Sequence, residues 1–151
     1  MAERKKDSRA QFRIIAGGRR DGAPPAPLDV FEVPADRSAP RKARRWAAVV
    51  AAGQGVTGMA NQMVELLTGE LVGLAVVHSA PGAAVRVEVT TVDGFLEVSA
   101  HHVAGDDGVA DSVLNAEEWG TALLRTLSAD CGIGESDGGC LTSWFRLDPD
   151  A

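Results

Sequence analysis

Three kinds of residue in this chain carry side chains able to do chemistry, and their spacing decides what each could do. The first is Glu70. It lies in Met59-Ala-Asn-Gln-Met63-Val-Glu-Leu66-Leu67-Thr-Gly-Glu70-Leu-Val-Gly-Leu74-Ala-Val-Val77-His78, a proline-free stretch that reads as one helix over 59–78. At about 100° per residue, Met59, Met63, Leu66, Leu67, Leu74 and Val77 share a face, with Glu70 in its middle. A carboxylate within an apolar stripe is costly to bury unless it has a partner or a task. Capping a neighbouring backbone group, or reaching to the helix edge, accounts for the same residue without chemistry.

The histidines come second. His101 and His102, followed by Asp106 and Asp107, offer the nitrogen and oxygen donors that metals use. Neighbours on a strand point to opposite faces, however, so the two imidazoles should not meet one ion. No metal centre is expected. The third kind is cysteine. Cys131 and Cys140 form no CxxC pair, and no histidine lies at ligand spacing from either. They are expected to be reduced thiols.

The length of 151 residues suits one domain with one core. Its apolar runs are broken by glycine or charge before the ~18 residues of a membrane span. No apolar segment follows the basic N-terminus, so no signal peptide is read there, and the expected location is the cytoplasm. The net charge of −6 hides an asymmetry. Residues 1–45 hold 12 of the 15 lysines and arginines against 6 acids, or +6, while residues 46–151 hold 3 against 15, or −12. The basic portion lacks interleaved aromatics, and the acidic remainder would repel phosphate, which argues against nucleic acid. An acidic domain suits a basic protein partner, bound in a salt-dependent way.

The elements that must hold these residues follow in order. Residues 1–27 read as a basic, flexible tail ending in a linker rich in proline and glycine, with a short strand possible at Phe12-Arg-Ile-Ile15. Residues 28–149 read as the domain. Leu28-Asp-Val-Phe-Glu-Val33 alternates as a strand should. Ser38 offers a helix N-cap, Pro40 suits the first turn, and Gly53 and Gly55 close the helix. Arg41, Lys42, Arg44 and Arg45 crowd its first half, where the helix dipole favours acids. After the long helix, Asp93-Gly94 between alternating runs marks a two-residue hairpin over 85–100. That register puts Val89 opposite Val98 and Val87 opposite Ala100. Val85, Val87, Val89, Leu96, Val98 and Ala100 then face the core, and Arg86, Glu88, Thr90, Glu97, Ser99 and His101 face water. Asn115 and Glu118 resemble a capping box that opens a helix to about residue 129, with Trp119, Ala122, Leu123, Thr126 and Leu127 on one side. A second hairpin over 133–147, with Asp137-Gly138 at its tip, would pair Cys131 with Trp144. The result is an α+β two-layer sandwich, its mixed, mostly antiparallel sheet covered by helices on one face.

Several of these segments, in this order, carry a resemblance. They are Val33-Pro-Ala-Asp, Glu70-Leu-Val-Gly-Leu-Ala-Val-Val-His78, the hairpin over 85–100, Gly120-Thr-Ala-Leu-Leu, and Gly138-Gly-Cys-Leu-Thr142-Ser-Trp-Phe145. From about residue 28 to 147 the chain resembles the anti-sigma-factor serine kinases, a family of the GHKL ATPase superfamily that includes histidine kinases and gyrase. The resemblance implies the histidine-kinase-like ATPase fold. It also implies an ATP pocket at Glu70, Leu74, Ala100, Gly120 and Thr142, with Glu70 as general base. Where the family has a magnesium-binding Asn, this chain has Leu74, and leucine offers a hard cation no oxygen. Where the family has an Asp that reads adenine, it has Ala100. The second glycine of the phosphate loop is Ala122. Gly120 and Thr142 remain.

These departures touch metal, base and phosphate separately. The expected function is therefore a regulatory, pseudokinase-like interaction module. It would act in transcription by binding a sigma factor or an anti-sigma antagonist, with a homodimer possible and ATP with magnesium bound weakly or not at all. The alternative is an active ATP-dependent serine kinase with a divergent pocket.

Overall fold

The computed structural model describes residues 12–16, 26–103, 122–136 and 140–150. Residues 17–25 of the linker expected over 17–27, the capping box at Asn115 and Glu118, Gly120, and the Asp137-Gly138 turn lie outside them.

The central hairpin forms as the alternation requires. Strands β3 (Ala84–Val92) and β4 (Phe95–Val103) are joined by Asp93 and Gly94, both at positive φ, 52° and 85°. Two left-handed residues are what a type I′ turn needs, and Asp and Gly tolerate them. Val89 pairs with Val98 and Val87 with Ala100, and all six inner-face residues from Val85 to Ala100 are buried.

Around this hairpin the sheet runs β1 (Phe12–Ala16), β5 (Asp130–Ser136), β6 (Cys140–Leu147), β4, β3, β2 (Asp29–Pro34). β1 lies parallel to β5, and every other neighbour is antiparallel. The sheet thus takes a strand from the segment before residue 28. Helices α1 (Ala39–Gly53) and α2 (Gly58–His78) pack on each other and on the inner face. The short α3 (Ala122–Leu127) lies against α2 and β5. This is an α+β, two-layer arrangement.

α1 meets α2 through alanine. Ala39, Ala43, Ala47 and Ala51 recur at every fourth position, and all are fully buried. Side chains this small let the helix axes come close. Trp46 stacks on Phe31 at 5.3 Å and reaches Asp29 through its indole N–H, which fixes α1 against β2. At the far end Asn61 donates to the carbonyls of Ala48 and Val56, closing the corner between the helices. Ser38 does not cap α1 through its hydroxyl. Its hydroxyl and its N–H both donate to Asp36, which forms the turn into the helix. An Asp two residues upstream is well placed to take that N–H. The two bonds, the hydroxyl's first, hold the Asp36 carboxyl below its ordinary range.

Four expectations need correcting. The buried side of α2 is rotated from the expected stripe, sharing Leu67 with it and leaving Met63 and Leu74 at the edge of the core. It consists of Ala60, Val64, Leu67, Thr68, Leu71, Val72 and Ala75, whereas Met59 is 64% exposed, Val77 74% and Leu66 41%. The helix has two apolar sides, and the one with smaller residues fits against alanine and valine. On α3, Leu124 is buried and Leu123 exposed. The second hairpin is shifted by one: Cys131 pairs with Phe145 and Ser136 with Cys140. A shift of one sends every side chain to the other face, so Phe145 enters the core and Trp144 turns outward. Cys131 and Cys140 are both thiols. Finally, the outer face is polar without being wet at its centre. Thr90, Glu97, Ser99 and Trp144 are at most 2% exposed. Glu97 tolerates burial because Arg146 donates to it at 3.0 Å, and Arg146 lies over the Trp144 ring.

Candidate functional site

Of the five residues expected at a nucleotide site, Glu70, Leu74, Ala100 and Thr142 are among the described residues, and they lie on both faces of the sheet. Glu70 and Leu74 stand one turn apart on the same flank of α2, as a spacing of four requires. Glu70 is half-buried and has no hydrogen bond or ion pair with a described residue. Leu74 packs against the edge of the core. Ala100 lies on the inner face of β4, fully buried beneath the helices. Gly120 is outside the described residues.

Thr142 is on the wrong side of the sheet for a shared pocket. It pairs with His101, whereas Ala100 pairs with Ser143. Thr142 therefore shares the outer face with His101. The His101 Nδ1 and the Thr142 hydroxyl share a hydrogen bond of 2.9 Å. On the other side of the ring, Nε2 lies 3.2 Å from the Ser99 hydroxyl and 3.6 Å from Glu88, which itself pairs with Arg86. These groups tie strands β3, β4 and β6 together across the face opposite Ala100.

Two hydroxyls missed in the sequence lie on the inner side. Ser143 stands beside Ala100, and Thr68 is on the core side of α2. Both are fully buried, and neither hydroxyl has a hydrogen-bond partner among the described residues. Leu141, Phe145 and Leu147 alternate with Thr142, Trp144 and Arg146. That alternation already assigns Ser143 to the inner face and Thr142 to the outer one.

The histidines separate as strand geometry demands. His101 is on the outer face, and His102 is 1% exposed on the inner face. Among the described residues no group of three His, Cys, Asp or Glu side chains is placed to hold a metal ion. Burial holds His102 down to about 4, with the positive fields of His78 and His101 adding to it.

Glu70, half-buried and unpartnered among the described residues, should contribute little to stability. Glu70→Gln is expected to change the unfolding free energy by less than ~0.5 kcal/mol in urea melts at neutral pH. A loss above ~2 kcal/mol would identify a satisfied structural anchor instead.

His102 should make stability depend on pH. The unfolded chain takes up this proton near the ordinary value of 6.5, and the folded chain only near 4. The contribution is thus fully present above 6.5 and is lost as pH falls towards 4, amounting to at most about 3 kcal/mol. Replacing His102 by Leu should flatten this part of the stability profile. An unchanged slope between wild type and variant would show that another group carries it.

No protein-family model matches the sequence, and no curated protein does.

Proposed function

We propose that the chain is a regulatory protein-interaction module built on a histidine-kinase-like ATPase scaffold whose nucleotide site has been filled with hydrocarbon. The observation that carries this reading is the pair Leu74 and Ala100. One is packed at the core edge and the other fully buried, and neither has a side-chain oxygen or nitrogen. The positions that would hold magnesium and read the adenine amine therefore offer neither ligand nor acceptor. The inner-face hydroxyls of Thr68 and Ser143 do not replace them. They are neutral and lie fully beneath the surface. The described residues thus do not fit ATP with magnesium, and no phosphoryl-transfer step is assigned.

What remains suits recognition rather than catalysis. The sequence after residue 45 is strongly acidic. Its partner would be a protein of the sigma-factor or anti-sigma-antagonist type, met in the cytoplasm. Charge complementarity would set the association rate and its salt dependence.

Calorimetry with ATP and magnesium should give a dissociation constant no tighter than roughly millimolar, or about 4 kcal/mol. Micromolar, magnesium-dependent binding would overturn the proposal. Restoring both groups with Leu74→Asn and Ala100→Asp should recover measurable nucleotide affinity, the new carboxylate gaining Ser143 as a neighbour. If the double variant keeps its circular dichroism spectrum and still binds nothing, the assignment of these positions to a nucleotide site fails.

A further inference from the structure

The outward side of α1 is the one strongly basic surface among the described residues. Arg37, Arg41, Lys42, Arg44 and Arg45 are all exposed, and none forms an ion pair with a described residue. Lys42 lends only its field to Asp36, whose carboxylate is already engaged by Ser38. The Arg44 stem lies across α2, so close that a methyl group on Gly69 would come within 2.7 Å of its Cδ. This cluster works against its own helix, because the first turns of a helix favour acids. It also stands apart from the rest of the chain, where residues 46–151 carry three basic side chains against fifteen acidic ones.

The basic side does not end in more charge. Arg41, Arg45, Ala48, Val49 and Ala52 follow one another at helical spacing along the same outward side. Val49 is 72% exposed, and Ala52 is exposed beside it. The surface thus runs from a cluster of guanidinium and ammonium groups at the start of the helix to a small apolar strip further along it. Protein interfaces combine these two kinds of contact.

We propose that this side of α1 docks an acidic, partly apolar peptide segment of a partner protein. The proposal goes beyond the nucleotide-site reading and needs neither Glu70, Leu74 nor Ala100. Nucleic acid fits less well. The only aromatic ring on α1, Trp46, is already stacked on Phe31 and offers no platform for a base, and the strip at Val49 has no apolar counterpart on a phosphate backbone. A lipid surface fits less well too, because one valine and two alanines bury too little apolar area to anchor a helix.

The test is fluorescence anisotropy at low salt with a labelled synthetic peptide repeating Glu-Glu-Leu. Polyglutamate, duplex DNA and phosphatidylserine-containing vesicles serve as competing probes. The full chain should bind the Glu-Glu-Leu peptide more tightly than the other three, and added salt should weaken it. Arg41→Glu with Arg45→Glu should weaken it by about tenfold or more. Val49→Ser should remove the preference over polyglutamate. Thermal melts of these exposed-site variants should match the wild type, which keeps binding separate from folding. No binding of the peptide, equal binding by the charge-reversed protein, or tighter binding of DNA or vesicles would overturn the proposal. None of these outcomes bears on ATP, which the calorimetry reads independently.

Discussion

The close contact between α1 and α2 fixes what the rest of the molecule can present. Four alanines at every fourth position of α1 leave room only for a partner surface that is itself small and smooth. α2 meets α1 with Gly69 beside the Arg44 stem and Gly73 beside Pro40, and buries Ala60, Val64, Leu67, Leu71, Val72 and Ala75 in the core. Choosing this side for the core turns the larger side chains away from it. Met59, Leu66 and Val77 are then exposed, and Glu70 moves from the centre of a buried stripe to a half-buried flank. The cost of burying its charge, which made Glu70 conspicuous, is largely avoided by this rotation rather than met by a partner.

The central hairpin was fully legible. Its alternation, its Asp-Gly turn and its register could all be read because each depends on residues a few positions apart. Strand β2 and helix α1 were legible for the same reason. The rotation of α2 was not, because both sides of the helix are apolar and only the alanine surface of α1 distinguishes them. In the second hairpin, Asp137-Gly138 suggested a two-residue turn, whereas the strands pair as though three residues separate them. That register is set by β4, with Phe145 opposite Val98, a contact between residues far apart in sequence. Thr142, which the resemblance implied for a pocket, lies on the outer face with His101, and Ser143 on the inner one.

The polar groups of the sheet divide along the same lines. On the outer face, Glu88, Ser99, His101, Thr142, Glu97 and Arg146 satisfy one another across three strands. Paired in this way, polar groups can be buried without destabilising the sheet. On the inner face, by contrast, Leu74 and Ala100 bring hydrocarbon to the two positions proposed above to have lost their nucleotide contacts. The exposed cations of α1, which form no ion pair with a described residue, stand outside both networks.

The account stands or falls on which side of α2 faces the core. A matched pair of urea melts on Leu66→Asp and Leu71→Asp reads this directly. The structure predicts a loss below ~1 kcal/mol for the exposed position, and ~3 kcal/mol or more for the buried one, where a charge would have no partner. If Leu66→Asp proved the more damaging of the two, the stripe of large side chains would be the buried side after all. Glu70 would then return to the core, and the rotation on which the account rests would be wrong.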